Sequence, residues 1–145
     1  MTTVLVIDDD VGFAEGLAAC LRSRNYRTFV EANGDSALVT MVARGVDVAL
    51  CDIVMPGLLG PGFMHKAQSV RANLPVIFMS TLPEERVQRM FDGYAAYLRK
   101  PFAIPELIAT IEHVLVRPRR PPTRSDSRSP LPPLPSAETA LTRGR

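Results

Sequence analysis

Apolar residues in this chain follow two alternating rhythms. Val4–Ile7 is an unbroken aliphatic run that stops abruptly at Asp8-Asp9-Asp10. A short run without polar interruption predicts a strand buried on both faces. Ala14, Leu17, Ala18 and Leu21 then recur at i, i+3, i+4 and i+7, one face of a helix. Asp10 is its expected N-cap, and Asn25 ends it. Arg27–Glu31 alternates like a more exposed strand. Asp35 is the expected cap of a second helix that buries Ala37, Leu38, Met41 and Val42 and is closed by Gly45.

The second half repeats the pattern. Val46–Cys51 predicts another buried strand, ending in Asp52. Met55-Pro56-Gly57 and Gly60-Pro61-Gly62 predict an irregular loop, followed by a helix that buries Phe63, Ala67 and Val70. After Pro75, Val76–Met79 predicts a third buried strand that runs into Ser80-Thr81. Pro83-Glu84-Glu85 opens a helix, with Pro in its first turn and acids near the positive end of its dipole; Val87, Met90 and Phe91 form its inner face. Ala95–Leu98 is a short strand stopped at Lys100-Pro101. Leu107, Ile108, Ile111, Val114 and Leu115 mark the last helix. Strand then helix, five times over, predicts an α/β fold with right-handed crossovers, a parallel sheet and helices on both faces. Such sheets bind ligands beyond the carboxyl ends of their strands.

Composition sharpens this picture at one point. The chain has 145 residues, 46% of them hydrophobic, enough for one domain with a true core, built without Trp. Its net charge of +2 conceals a split. Residues 117–145 carry seven Arg against two acids, whereas residues 1–116 carry ten Lys/Arg against thirteen acids. The expected organisation is a folded domain over 1–116 and a Pro/Arg-rich tail over 117–145, disordered or locally polyproline II. Cys20 and Cys51 are expected as reduced core thiols, not a disulfide. Met41, Met64, Met79 and Met90 are expected core fillers, and His65 and His113 solvent-facing. Acids stand by Asp8 where a signal peptide would be apolar, and no apolar run reaches membrane-spanning length. A cytoplasmic location without membrane contact is expected.

The strand ends carry the candidate chemistry. They deliver Asp8 and Asp9, then Asp52, then Ser80, then Lys100, all to one edge of a parallel sheet. Taken singly, each is an ordinary cap or turn residue; five on one edge make a cleft. Three carboxylates held together repel one another, and a hard divalent cation resolves the conflict. Mg²⁺ suits an all-oxygen donor set shared with phosphate; no His or Cys cluster favours Zn²⁺. Lys100 adds positive charge for a phosphoryl group, and Ser80 a hydrogen bond. Asp52 stands alone at mid-cleft and is the expected nucleophile, while the adjacent Asp8 and Asp9 suit a metal clamp.

The segments VLVIDDD, ALCDIVMPG, LPVIFMS and YLRKPF resemble, in order and spacing, the response-regulator receiver domain of two-component phosphorelay signalling, over roughly residues 3–116. The resemblance implies a doubly wound, five-stranded, flavodoxin-like (βα)5 sheet. It implies Asp52 as the phosphoacceptor, and Asp8 and Asp9 as the acidic pair organising Mg²⁺, with Asp9 the more direct ligand. The Val54 backbone carbonyl is implied as a further ligand, Lys100 as the phosphoryl-pairing cation, and a cis bond before Pro101 as a frequent feature. Ser80 and Tyr97 are the implied switch pair, Tyr97 turning inward as Ser80 moves onto the phosphoryl group. The implied partners are a histidine kinase or phosphotransfer protein and a downstream protein, with a homodimer compatible. No output module is attached in this reading.

Departures from the family pattern carry their own expectations. Pro61-Gly62 replaces an apolar pair, so the third helix is expected to start late, and Thr81 is bulkier than the residue common there. Val54 and Leu82 place apolar side chains where relatives orient attacking water, which predicts slow phosphoryl loss.

The competing functions differ in testable residues. A phosphatase-type enzyme with an Asp nucleophile needs a second acid two residues after Asp52, where Val54 stands. A flavin carrier needs a phosphate loop where Asp8-Asp9-Asp10 would repel phosphate. Arg117, Arg119, Arg120, Arg124 and Arg128 could contact nucleic acid weakly, and Pro130–Pro133 could serve as a peptide ligand, against the plainer alternative of a solvated tail. The chain is therefore expected to be no turnover enzyme, assisting only its own phosphorylation and dephosphorylation.

Overall fold

A computed structural model describes residues 1–55 and 59–116. Five strands and five helices alternate: β1 (Thr3–Ile7), α1 (Val11–Arg22), β2 (Arg27–Glu31), α2 (Gly34–Ala43), β3 (Val48–Asp52), α3 (Gly60–Val70), β4 (Val76–Ser80), α4 (Glu84–Met90), β5 (Ala96–Arg99) and α5 (Ile104–Val116). The strands form one sheet in the order β2-β1-β3-β4-β5. All four pairings are parallel. The order reverses between β1 and β3, so the chain leaves those two strands toward opposite faces and opens a crevice at their carboxyl ends.

The period of two along each strand divides the core. Leu5, Ile7, Ala49, Cys51, Val76 and Phe78 face α2, α3 and α4, meeting Met41, Phe63, Ala67 and Val87. Val4, Val6, Val48, Leu50, Ile77 and Met79 face α1 and α5, meeting Leu17, Leu21, Leu107 and Ile111. Strands β1 and β4 are buried along their whole length, which explains why their sequences are unbroken apolar runs instead of alternations. Asp10 caps α1 by accepting the Phe13 N–H at 3.1 Å. Past α1 the chain reverses at Asn25, whose φ of 69° is a left-handed value that Asn tolerates.

Several expectations are corrected by local geometry. Asn33, not Asp35, caps α2, its Oδ1 accepting the Ser36 N–H at 2.9 Å. Asp35 sits in the first turn, where its charge still complements the dipole. Arg44, rather than Gly45, is the C-cap. Helix α3 does not start late: Gly60-Pro61-Gly62 is its first turn, because Pro lacks only an N–H that a helix start leaves unpaired. Pro83 is the N-cap of α4, not a member of its first turn. Val42, Val70 and Met90 are exposed rather than inward, and Cys20 is half-buried; the inner faces belong to Ala37 and Met41 in α2, Phe63 and Ala67 in α3, and Val87 in α4. Strand β3 starts at Val48, since Val46 turns on an N–H to the Arg44 carbonyl. The expected tail over 117–145 lies outside the described residues.

Gly60 fixes α3 against the end of β3. Its N–H donates to the Ile53 carbonyl at 3.0 Å. A Cβ there would stand 2.4 Å from the Asp52 carbonyl oxygen and 2.9 Å from the Ile53 Cα, both rigid backbone. Gly60→Ala is expected to lower stability by about 1–3 kcal/mol through forced backbone displacement, read as a lower urea midpoint with an unchanged slope.

Candidate functional site

The crevice collects what the sequence placed at the strand ends. Asp8 follows β1 and Asp52 ends β3, on either side of the reversal in strand order. Carboxylate oxygens of Asp8, Asp9 and Asp52 lie within 4.8 Å of one another. Asp8 is fully buried. Its Oδ1 accepts the Asp10 N–H at 2.9 Å, and its Oδ2 accepts the Lys100 ammonium at 2.7 Å. The same ammonium stands 3.8 Å from Asp52 Oδ2. The Lys100–Pro101 bond is cis, as the resemblance implied.

Aromatic side chains that the sequence did not single out hold Lys100 in place. Its Nζ stands 4.4 Å from the centre of the Phe13 ring, a cation–π approach. Phe13 in turn meets Phe102 edge to face, with centroids 6.1 Å apart. A phenylalanine beside an acidic cluster carries no sign in one dimension that it meets this ammonium, nor the one after Lys-Pro that it backs that ring.

Ser80 ends β4 and is buried, its Oγ accepting the Leu82 N–H at 3.2 Å. That contact uses only an oxygen lone pair and leaves the hydroxyl proton to another acceptor, with the Tyr97 hydroxyl as its side-chain neighbour. Tyr97 is half-buried on β5, and its hydroxyl is shared between the carbonyls of Ser80 at 3.0 Å and Leu82 at 2.5 Å. Burial pushes the Tyr97 phenol up, so it stays a donor. The Val54 N–H points at Asp52 Oδ1 at 3.4 Å, while its side chain is exposed. The Leu82 side chain is half-buried and packs against the core.

Electrostatics single out Asp52. Burial, and then the neighbouring Asp8, push its carboxyl up from 3.8 to about 6, against the opposing pull of Lys100. One ammonium does not balance three carboxylates. The donor set is oxygen throughout, which suits a hard divalent cation and offers nothing for a soft one. The residues therefore fit a divalent metal, held by Asp8, Asp9 and Asp52. Cys51 lies directly beneath, fully buried, and burial raises its thiol, so it is no competing nucleophile.

Residues 4–112 match the family model of the response regulator receiver domain. The chain belongs to that family. As a receiver domain it is 34% identical over 119 residues to the sensory transduction protein RegX3 of Mycolicibacterium smegmatis, covering 81% of this chain and 52% of that protein. It is 31% identical to the sensor kinase CckA of Brucella abortus, covering 78% of this chain but 12% of the kinase. The receiver thus spans about half, or less, of the curated relatives it matches. Among solved structures it superposes on the Francisella response regulator 1452 receiver domain with a TM-score of 0.71 and 31% identity, covering 79% and 97% of the two chains. The Vibrio cholerae chemotaxis protein CheY4 gives a TM-score of 0.72 at 27% identity, covering 79% and 99%. These matches establish a two-component signalling module of CheY-like, flavodoxin-like fold. Among the described residues, no helix is long and apolar enough to cross a membrane.

The raised Asp52 carboxyl has a consequence for stability. A folded-state pKa above the unfolded one means the native receiver holds this proton more tightly, so its contribution to stability is present at low pH and lost as pH rises from 3.8 through about 6. Without divalent metal, Asp52→Asn is expected to be more stable than the wild type at pH 7.5 by about 1–3 kcal/mol. The gap should close near pH 4, as read by paired urea melts.

Proposed function

We propose that this receiver takes a phosphoryl group onto Asp52 from a histidine kinase or phosphotransfer protein, with Mg²⁺ held by Asp8, Asp9, Asp52 and the Val54 carbonyl. The observation that supports it best is one carboxylate set between a buried acidic neighbour and an ammonium, at the point where the strand order reverses. A carboxylate oxygen of Asp52 attacks phosphorus. The new O–P bond forms as the bond to the donor's imidazole nitrogen, or to the oxygen of acetate in a small phosphodonor, breaks and leaves with its electron pair. Bound Mg²⁺ would supply neutralising charge for the phosphoryl oxygens. Lys100 supplies the remaining positive charge, held toward the acids by Asp8 and by the Phe13 ring. Ser80 donates its hydroxyl to a phosphoryl oxygen.

Phosphorylation adds roughly −1.5 to −2 charge and new acceptor oxygens, which favour the conformers in which Ser80 and Lys100 reach them. Because the Tyr97 hydroxyl binds the Ser80 carbonyl, a change at Ser80 shifts the population of Tyr97 positions and with it the surface a downstream protein reads. The chain assists only its own phosphorylation and dephosphorylation in this reading. The phosphatase alternative stays disfavoured because Val54 presents an exposed apolar side chain where that chemistry needs an acid. The domain division at residue 116, the cytoplasmic location and a homodimer remain parts of the proposal.

Incubation with acetyl phosphate and Mg²⁺ is expected to add one phosphoryl group by intact mass. The addition should vanish in EDTA and in Asp52→Asn, while persistence in that variant would exclude Asp52. The apolar flanks give a second expectation. Val54→Asn combined with Leu82→Glu should speed loss of the phosphoryl group roughly tenfold or more, within the range of a positioned general base, and an unchanged rate would remove the role of those side chains.

A further inference from the structure

A groove of about 420 Å³ runs along β5 between α4 and α5. Its floor is small: Ala95, Ala96 and Ala109 leave room above the sheet, and Tyr97 closes one side. Its rim is acidic at one end. Glu84 opens α4 and Glu106 lies in the first turn of α5, so both stand at the carboxyl edge of the sheet. Among the described residues neither makes an ion pair, and no Lys or Arg lines the groove. Arg99, the cation of β5, is turned to the Thr81 carbonyl at 3.2 Å. The opposite end is marked by His113, one turn before α5 ends at Val116.

Directly after Val116 comes the most basic stretch of the chain. Residues 117–128 carry Arg117, Arg119, Arg120, Arg124 and Arg128 against Asp126 alone. The receiver body carries thirteen acids against ten Lys/Arg. We propose that residues 117–128 fold back along this groove, seating their arginines on Glu84 and Glu106 and covering Tyr97. The reach is adequate. From Val116 back to Glu106 is ten helical residues, about 15 Å at 1.5 Å each. Extended, Pro-rich chain covers about 3.1 Å per residue, so five residues span it once the chain has reversed. If Arg117–Arg119 make the reversal, Arg120-Pro121-Pro122-Thr123-Arg124 runs the length of the groove and brings Arg124 to the glutamates. Alanine floors leave the space that proline rings fill, and Pro restricts the free chain, lowering the entropy lost on seating. This inference rests on groove chemistry and chain topology and stands apart from the phosphoryl reading.

The test uses the full chain, ¹⁵N-labelled, at low salt. Replacing Arg117, Arg119, Arg120 and Arg124 by Gln should shift the amides of Ala96, Tyr97, Ala109, Thr110 and His113 and leave those of α1 and α2 unmoved. Added salt should produce the same shifts in the wild type. In Glu84→Gln plus Glu106→Gln, trypsin cleavage after Arg124 should be roughly two- to fivefold faster, the ratio that exposed ion pairs of this kind support. Cleavage after Arg128 should quicken in the same Gln variant, and exchanging the charges on both sides, Glu84→Arg and Glu106→Arg with Arg120→Glu and Arg124→Glu, should restore the slow rate at Arg128, the site that this exchange leaves intact. Groove amides that ignore the arginine replacements would overturn the proposal. Shifts that grow with protein concentration would assign the contact to a second copy and equally overturn it. So would a tail that leaves the groove untouched and responds only to an added DNA duplex.

Discussion

Carboxylates crowded around too little positive charge are the constraint on which the rest of this molecule depends. The sheet brings oxygens of Asp8, Asp9 and Asp52 within 4.8 Å of one another, with Lys100 as the single ammonium among them. Such a cluster is costly where it stands, and it persists because the surrounding architecture enforces it. Fully buried strands β1 and β4 set the frame. The reversal of strand order between β1 and β3 opens the crevice, and Gly60 lets α3 press against the backbone of Asp52. Folding free energy from two apolar layers holds this unfavourable charge together.

That tension also bears on the proposed switch. Asp52 is held where its charge is disfavoured and its carboxyl is pushed up to about 6. Groups that relieve the imbalance bind with part of the strain already present, as expected of a preorganised centre. The neighbouring hydrogen bonds give the relief somewhere to go. The Ser80 hydroxyl oxygen accepts the Leu82 N–H, and the carbonyls of both residues share the Tyr97 hydroxyl. A rearrangement at the acids therefore has a short physical path to the outer face of β5, where the groove between α4 and α5 begins.

Much of the architecture is legible in the one-dimensional pattern, because unbroken apolar runs and i, i+3, i+4 spacings report burial on two faces and on one. The polar residues at the strand ends were legible for the same reason: a parallel sheet puts every carboxyl end on one edge, so Asp8, Asp52, Ser80 and Lys100 had to gather. Local chemistry with near-equivalent choices was not legible. Asn33 and Asp35 are both good caps, and only the chain path decides between them. Gly60-Pro61-Gly62 reads as a loop by residue type, yet Pro in a first turn costs no hydrogen bond and the glycine is needed for contact with β3. Val42, Val70 and Met90 show that an apolar residue at a helical position does not reveal whether a neighbour covers it. Phe13 was invisible as a partner of Lys100, since nothing in sequence joins positions that distant.

The proposed chemistry requires a covalent bond between Asp52 and phosphorus inside this acidic cluster. Borohydride reduction of the acetyl phosphate-treated protein, followed by peptide mapping, tests it most directly, because an acyl phosphate is reduced to an alcohol and leaves a permanent mark on the residue that carried it. Homoserine is expected at position 52 and at no other aspartate, dependent on Mg²⁺. A mark at Asp8 or Asp9, or none anywhere, would contradict it.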